Sequence, residues 1–170
     1  MIEFREAQGQ DALTIVRTRQ KAWDATYRGI YPDEAIDEFD YAWHLEMERR
    51  RLANPDFHCC LVMDGADCVG YFSYGKVRPG VWKDFSFRLH SLYILPPYQK
   101  AGLGKRIFLQ IKEACLASGY GKMFLDCHPE NRNALEFYQH MGGTIADMDA
   151  GHENPMEDTC TIEFYFQEIP

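Results

Sequence analysis

An apolar run, Leu89-His90-Ser91-Leu92-Tyr93-Ile94-Leu95, is halted by Pro96-Pro97 and followed shortly by Gly102-Leu103-Gly104. Proline cannot donate to a strand ladder, so a strand should end there. Leu103, Ile107, Ile111 and Cys115 then recur every four residues, which predicts a helix over 103–118. A strand, a glycine-bearing loop and a helix N-terminus in succession call for a sheet with helices packed on it. They also make a backbone cradle for phosphate. The first N–H groups of a helix are unpaired and partly positive, and glycine lets an anion come close.

The rest of the chain follows the same alternation. Strands are predicted over 2–6, 57–63, 68–77, 84–95, 122–128, 144–148 and 159–167, and helices over 10–27, 33–52, 103–118 and 131–141. The apolar positions of the first helix are Leu13, Val16, Trp23 and Tyr27. Asp64-Gly65 signals a hairpin and Pro79-Gly80 a turn. Asn131 suits a helix N-cap and Gly142 a helix stop. The order β-α-α-β-β-β-α-β-α-β-β implies an α/β (α+β) fold with one mixed sheet and helices on both faces. With 170 residues and no repeat or linker, a single domain over 1–170 is expected.

A net charge of −8 argues against nucleic-acid binding and is compatible with cationic small molecules. No apolar run reaches membrane-spanning length, and Met1-Ile2-Glu3-Phe4-Arg5 is not a basic-then-apolar leader, so no membrane association and a cytoplasmic location are expected. The six cysteines form no Cys-x-x-Cys pair and read as buried, reduced thiols. Cys59 and Cys60 should point to opposite faces of a strand, which speaks against a redox pair. The histidines show no zinc spacing, so no metal site is expected.

Three ligand classes use glycine loops of this kind. A nucleoside-triphosphate loop needs a hydroxyl after its Gly-Lys, and Arg106 follows Gly104-Lys105 here. A dinucleotide loop needs a third glycine, and that position is Ile107. The third class fits. Gln99-x-x-Gly102-x-Gly104 resembles the acyl-CoA pyrophosphate loop of the GNAT superfamily of N-acetyltransferases. The segment Asn131-Arg132-Asn133-Ala134-Leu135-Glu136-Phe137-Tyr138 resembles that family's Asn-x-x-Ala-x-x-Phe-Tyr element. The opening Trp23-x-x-x-Tyr27-Arg28-Gly29-Ile30-x-Pro32 resembles the first helices of small bacterial members, polyamine-acetylating ones among them. One departure is Gly143, where the family often carries an aromatic; the expectation is thinner packing there.

The resemblance implies a GNAT-like acyl-CoA N-acyltransferase fold and acetyl-CoA (coenzyme A) as acyl donor. It implies transfer of an acetyl group to a primary amine of a small molecule, polyamine-like or amino-acid-like, or of a peptide. It assigns the donor's pyrophosphate to Gln99, Lys100, Ala101, Gly102, Leu103, Gly104 and Lys105. It assigns the pantetheine arm to backbone at Leu92, Tyr93 and Ile94, with Asn133 beside the donor. The Ile94 N–H would face the thioester oxygen. Tyr138 would protonate the leaving thiolate, since a phenol titrates above a thiol. His90, where relatives carry a glutamate, would deprotonate the amine directly or through water, and would face the same side as Leu92 and Ile94. A histidine base of this kind should make the loss in kcat/KM of His90→Ala largest at low pH. Trp23, Tyr27 and Tyr31 would line the acceptor end, where aromatics and nearby carboxylates suit a cation. A homodimer is the default expectation. The alternative is a module of the same fold that binds acyl-CoA without turning it over.

Overall fold

The computed structural model describes residues 1–166. Seven strands occur within them: β1 (Ile2–Glu6), β2 (Phe57–Asp64), β3 (Asp67–Lys76), β4 (Phe87–Ile94), β5 (Lys122–Cys127), β6 (Thr144–Asp149) and β7 (Thr159–Tyr165). They form one sheet in the order β1-β2-β3-β4-β5-β7-β6. Every neighbouring pair is antiparallel except β4 and β5, which run parallel. The helices are α1 (Ala12–Tyr27), α2 (Asp33–Asp37), α3 (Tyr41–Ala53), α4 (Leu103–Ala117) and α5 (Arg132–His140). The mixed sheet with helices on both faces is thus as the pattern implied. The final residue of the last predicted strand, Gln167, lies outside the described residues.

Strand alternation divides the core in two. Cys60 and Val62 of β2 face the main core with α4, whereas Cys59 and Leu61 face a second core with Ile15 of α1. The neighbouring thiols do point apart, and all six cysteines are free. The α4 stripe behaves as its spacing requires: Leu103, Ile107, Ile111 and Cys115 are 7%, 0%, 0% and 0% exposed. Each such aliphatic side chain stabilises the fold by about 1.5–3 kcal/mol.

Three expectations are corrected. The predicted helix over 33–52 is two helices, because the Asp40 carboxylate accepts the Trp43 N–H at 3.0 Å and starts α3 afresh. The inner face of α1 does not include Leu13, which is 39% exposed; Ile15, Val16 and Ala22 face inward with the charged Arg19 among them. The packing at Gly143 is full rather than thin. A Cβ there would lie 2.5 Å from Ile162 Cγ2 and 2.8 Å from Phe164 Cζ, so β7 supplies the bulk that an aromatic would.

Candidate active site

The sheet opens at its parallel pair. β4 and β5 share only the register Arg88↔Phe124, and past that point the two strands diverge. The edge of β4 beyond Arg88 therefore has backbone groups without a ladder partner on the β5 side. The gap is a cleft of about 1000 Å³, with β4 residues 89–94 on one wall and Leu125, Asp126 and Cys127 on the other. Leu92, Tyr93 and Ile94 lie on this open edge.

A bulge decides which way the β4 side chains point. Ser73 pairs with Ser91 and Tyr74 with Leu89, so His90 has no partner on β3. The extra residue reverses the alternation. Phe87 and Leu89 before it, and Leu92 and Ile94 after it, all pack into the α4 core. His90 instead turns to the α1/α3 face, where its ring lies 5.3 Å from Phe57. It still lines the cleft, but it does not share a side with Leu92 and Ile94 as a regular strand would require. Burial, then the charges of Arg88 and Arg51, push its pKa down to about 3. The ring is neutral at neutral pH.

At the C-terminal end of β4 the chain turns through Pro96–Tyr98 into the glycine loop. Lys100 and Gly102 adopt positive φ, +61° and +80°, and Gly102 is the N-cap of α4. Gly102 has no side chain to satisfy the first N–H groups of the helix, and the first intrahelical bond is from Arg106 N–H to Gly102 O. The N–H groups of the first turn are therefore available to an anion. Lys100, Gly102, Gly104 and Lys105 line the cleft; Ala101 and Leu103 do not, and Leu103 is part of the core. Gln99 also borders the cleft, and its Nε2 donates to Ile94 O at 2.6 Å, which ties the loop to the strand.

The opposite bank is α5. Asn131 accepts the Ala134 N–H at 3.3 Å as its cap, and Gly142 at φ +99° ends it. Asn133 is exposed at the cleft rim. Tyr138 is 6% exposed, packs edge-on to Phe137 and Phe164, and lines the cleft from the α4/α5 face. Burial raises its pKa well above the ordinary phenol value, with Cys127 and Tyr93 adding to the effect. His90 and Tyr138 thus reach one gap from opposite faces of the sheet.

The aromatic triad of the first helices is one cluster. Tyr27 and Tyr31 stack with centroids 4.1 Å apart, and Trp23 sits edge-on to both. Tyr27 alone of the three lines the cleft, with its hydroxyl 3.4 Å from that of Tyr93; Trp23 and Tyr31 stand behind it. The nearby carboxylates Asp24, Asp33 and Asp37 all pair with Arg28 on the surface. The loop before β7 borders this end: His128 Nε2 donates to Pro155 O at 2.7 Å, and its ring lies 5.8 Å from Tyr31.

Two polar residues beside the gap escaped the sequence reading, Asp126 and Arg88. Asp126 interrupts the apolar run Met123-Phe124-Leu125, and that break was the signal available. Among the described residues, no group of three or more His, Cys, Asp or Glu converges as a metal site would require. No described helix is long and apolar enough to cross a membrane.

Comparison with known proteins agrees with this geometry. The family model described as "Acetyltransferase (GNAT) family" matches residues 19–143. An uncharacterized N-acetyltransferase of Bacillus subtilis is 25% identical over 140 residues, covering 82% of this chain and 78% of the relative. A spermidine N(1)-acetyltransferase of Thermoplasma acidophilum is 23% identical over 153 residues, covering 87% of this chain and 91% of the relative. Among solved structures, the PaiA N-acetyltransferase of Thermoplasma acidophilum, in complex with coenzyme A, superposes with a TM-score of 0.77 at 21% identity, covering 98% of this chain and 99% of that one.

Proposed function

The chain belongs to the acetyltransferase (GNAT) family, and on that footing we propose that it transfers an acetyl group from acetyl-CoA to the primary amine of a small molecule or peptide. The observation that carries this reading is the single cleft that joins the α4 N-terminus, the open edge of β4 and the Tyr138 side chain. Its residues suit the donor. The unpaired N–H groups at 103–105 and the charges of Lys100 and Lys105 fit a pyrophosphate. The open backbone of β4 fits an amide-bearing arm. Acetyl-CoA supplies an acyl group already activated as a thioester.

The chain's own groups handle the protons. An alkylamine arrives mostly as ammonium, since it titrates near 10. His90, neutral and on the α1/α3 face, accepts a hydrogen bond from the amine and orients it, while the proton leaves to water. The Ile94 N–H, at the open edge, faces the oxygen where negative charge develops. Tyr138, kept protonated by burial, donates to the departing sulfur from the other face. Amine entry and thiol exit thereby use opposite sides of the sheet.

The test is thiol release from acetyl-CoA with a panel of amines. Tyr138→Phe is expected to lower kcat by about 10²–10⁴, the usual weight of a general acid, while coenzyme A still raises the melting temperature. Coenzyme A binding without thiol release across polyamines, amino acids and peptide N-termini would instead identify a module that binds without turnover.

A further inference from the structure

The charges around His90 bear on which amine the cleft accepts. The acidic surface after α1 is not a vacant cation site, because Asp24, Asp33 and Asp37 converge on Arg28. Beside the cleft, behind Asp126, the arrangement is different: Arg88 does not itself line the cleft, but its partner does. Arg88 precedes His90 by two residues on the same face of β4, at the last register before the strands part. Its Nη2 donates to Asp126 Oδ2 at 3.1 Å, and Asp126 lines the cleft. Asp126 Oδ1 accepts the Thr161 hydroxyl at 2.6 Å, so both carboxylate oxygens are engaged. Among the described residues the guanidinium makes no other hydrogen bond, and its Nε is buried without a partner. Its plane lies over the Phe124 ring, 5.5 Å from the centroid, and the side chain is 29% exposed.

We propose that Arg88 anchors a carboxylate on the acceptor, so that the preferred substrates are small amino-acid-like amines carrying a free carboxylate. The inference rests on the acetyltransferase reading above. A planar guanidinium held from one side by Asp126 and from below by Phe124 offers its free Nη1 N–H groups to a carboxylate in a fixed direction. The surroundings agree. After burial, the charges that lower the His90 pKa are two cations, Arg88 and Arg51, each with one carboxylate beside it, Asp126 and Glu48. An acceptor carboxylate would offset them; the second ammonium of a polyamine would add to the repulsion. Asp126 positions the guanidinium and is already neutralised, so it does not serve as a cation site.

The experiment uses matched pairs that differ only in the carboxylate: lysine with cadaverine, and ornithine with putrescine. Thiol release is measured for each, together with binding of each amine to the protein saturated with coenzyme A. The carboxylate member is expected to lead in kcat/KM by about tenfold or more, since a site built for a polar group rejects an analogue lacking it. Arg88→Gln should collapse that ratio toward one by raising the KM of the carboxylate member, and Arg88→Lys should restore part of it. Thiol release at equal efficiency within each pair in the wild-type protein overturns the anchor, whether or not the variants fold. An equal proportional loss for both members in Arg88→Gln overturns it as well. Tighter binding of the carboxylate member without thiol release supports the anchor and overturns acetyl transfer to these amines.

Discussion

His90 shows what a local environment does to a side chain judged by its type alone. A histidine on a strand leading into a glycine loop suggests a base that titrates near neutrality. In the fold it is half-buried beside Phe57, and desolvation first, then the charges of Arg88 and Arg51, hold its pKa at about 3. The consequence for catalysis follows from the sign. A group whose pKa is about 3 is neutral at every pH above about 5, so its contribution to the free protein's rate does not vary over the working range. His90→Gln should therefore lower kcat/KM by the same factor from about pH 6 to about pH 9, rather than most at low pH. The check is a pH–rate profile of variant and wild type with one acceptor. A ratio that changes with pH near 6.5 would mean the ring titrates normally. Gly143 carries the opposite lesson. Its missing aromatic suggested a gap, yet Phe164 and Ile162 already fill the space from a strand twenty residues on.

At the scale of elements, α4 and α5 form the two jaws that matter, and Gly104 sets their separation. A Cβ at this position would lie 3.3 Å from two atoms of the Phe137 ring, next in sequence to Tyr138. Gly104→Val should push α5 away from α4, destabilising the protein by about 1–3 kcal/mol as overpacking does. It should also lower kcat more than it weakens coenzyme A binding, because Tyr138 moves with its neighbour. Thermal melts and thiol release measured on the same preparation separate these effects; an unchanged kcat would show that the jaws are not coupled through this contact. Most of these elements were legible in the sequence. The α4 stripe, the Asn131 cap, the Gly142 stop and the proline end of β4 are local signals whose causes lie within a few residues. The break between α2 and α3 was missed because helical spacing continues across it. Only the Asp40 carboxylate, reaching its own helix N-terminus, interrupts the backbone there.

At the scale of the whole molecule, the buried His44 and the half-buried His90 link the fold to pH. His44 is held at about 4 by burial first and by Arg19 next, and His90 at about 3. Both lie below the unfolded value of about 6.5. Below that value the unfolded chain binds protons that the folded protein refuses, so their contribution is full above pH about 6.5 and is lost as pH falls toward the folded values. Urea unfolding should show falling stability between about pH 7 and about pH 5, and a shallower fall in His90→Gln. A flat stability over that window would show that these rings are not protonated on unfolding. The same cluster marks where sequence reading stopped. Arg19 on α1 meets Glu48 and His44 on α3 and the Tyr71 hydroxyl on β3, and its burial is stable only with those partners in place. No local period announces such a group. The strand–loop–helix succession, the order of elements and the glycine loop were available from residue order, because each depends on neighbours along the chain; Tyr138 came forward only through the resemblance of 131–138 to a family element. The splay of β4 from β5, the bulge that turns His90 to the other face, and the Arg88–Asp126 pair were decided only when distant strands met. Register and charge pairing are properties of contacts between segments, and those contacts exist only in the folded chain.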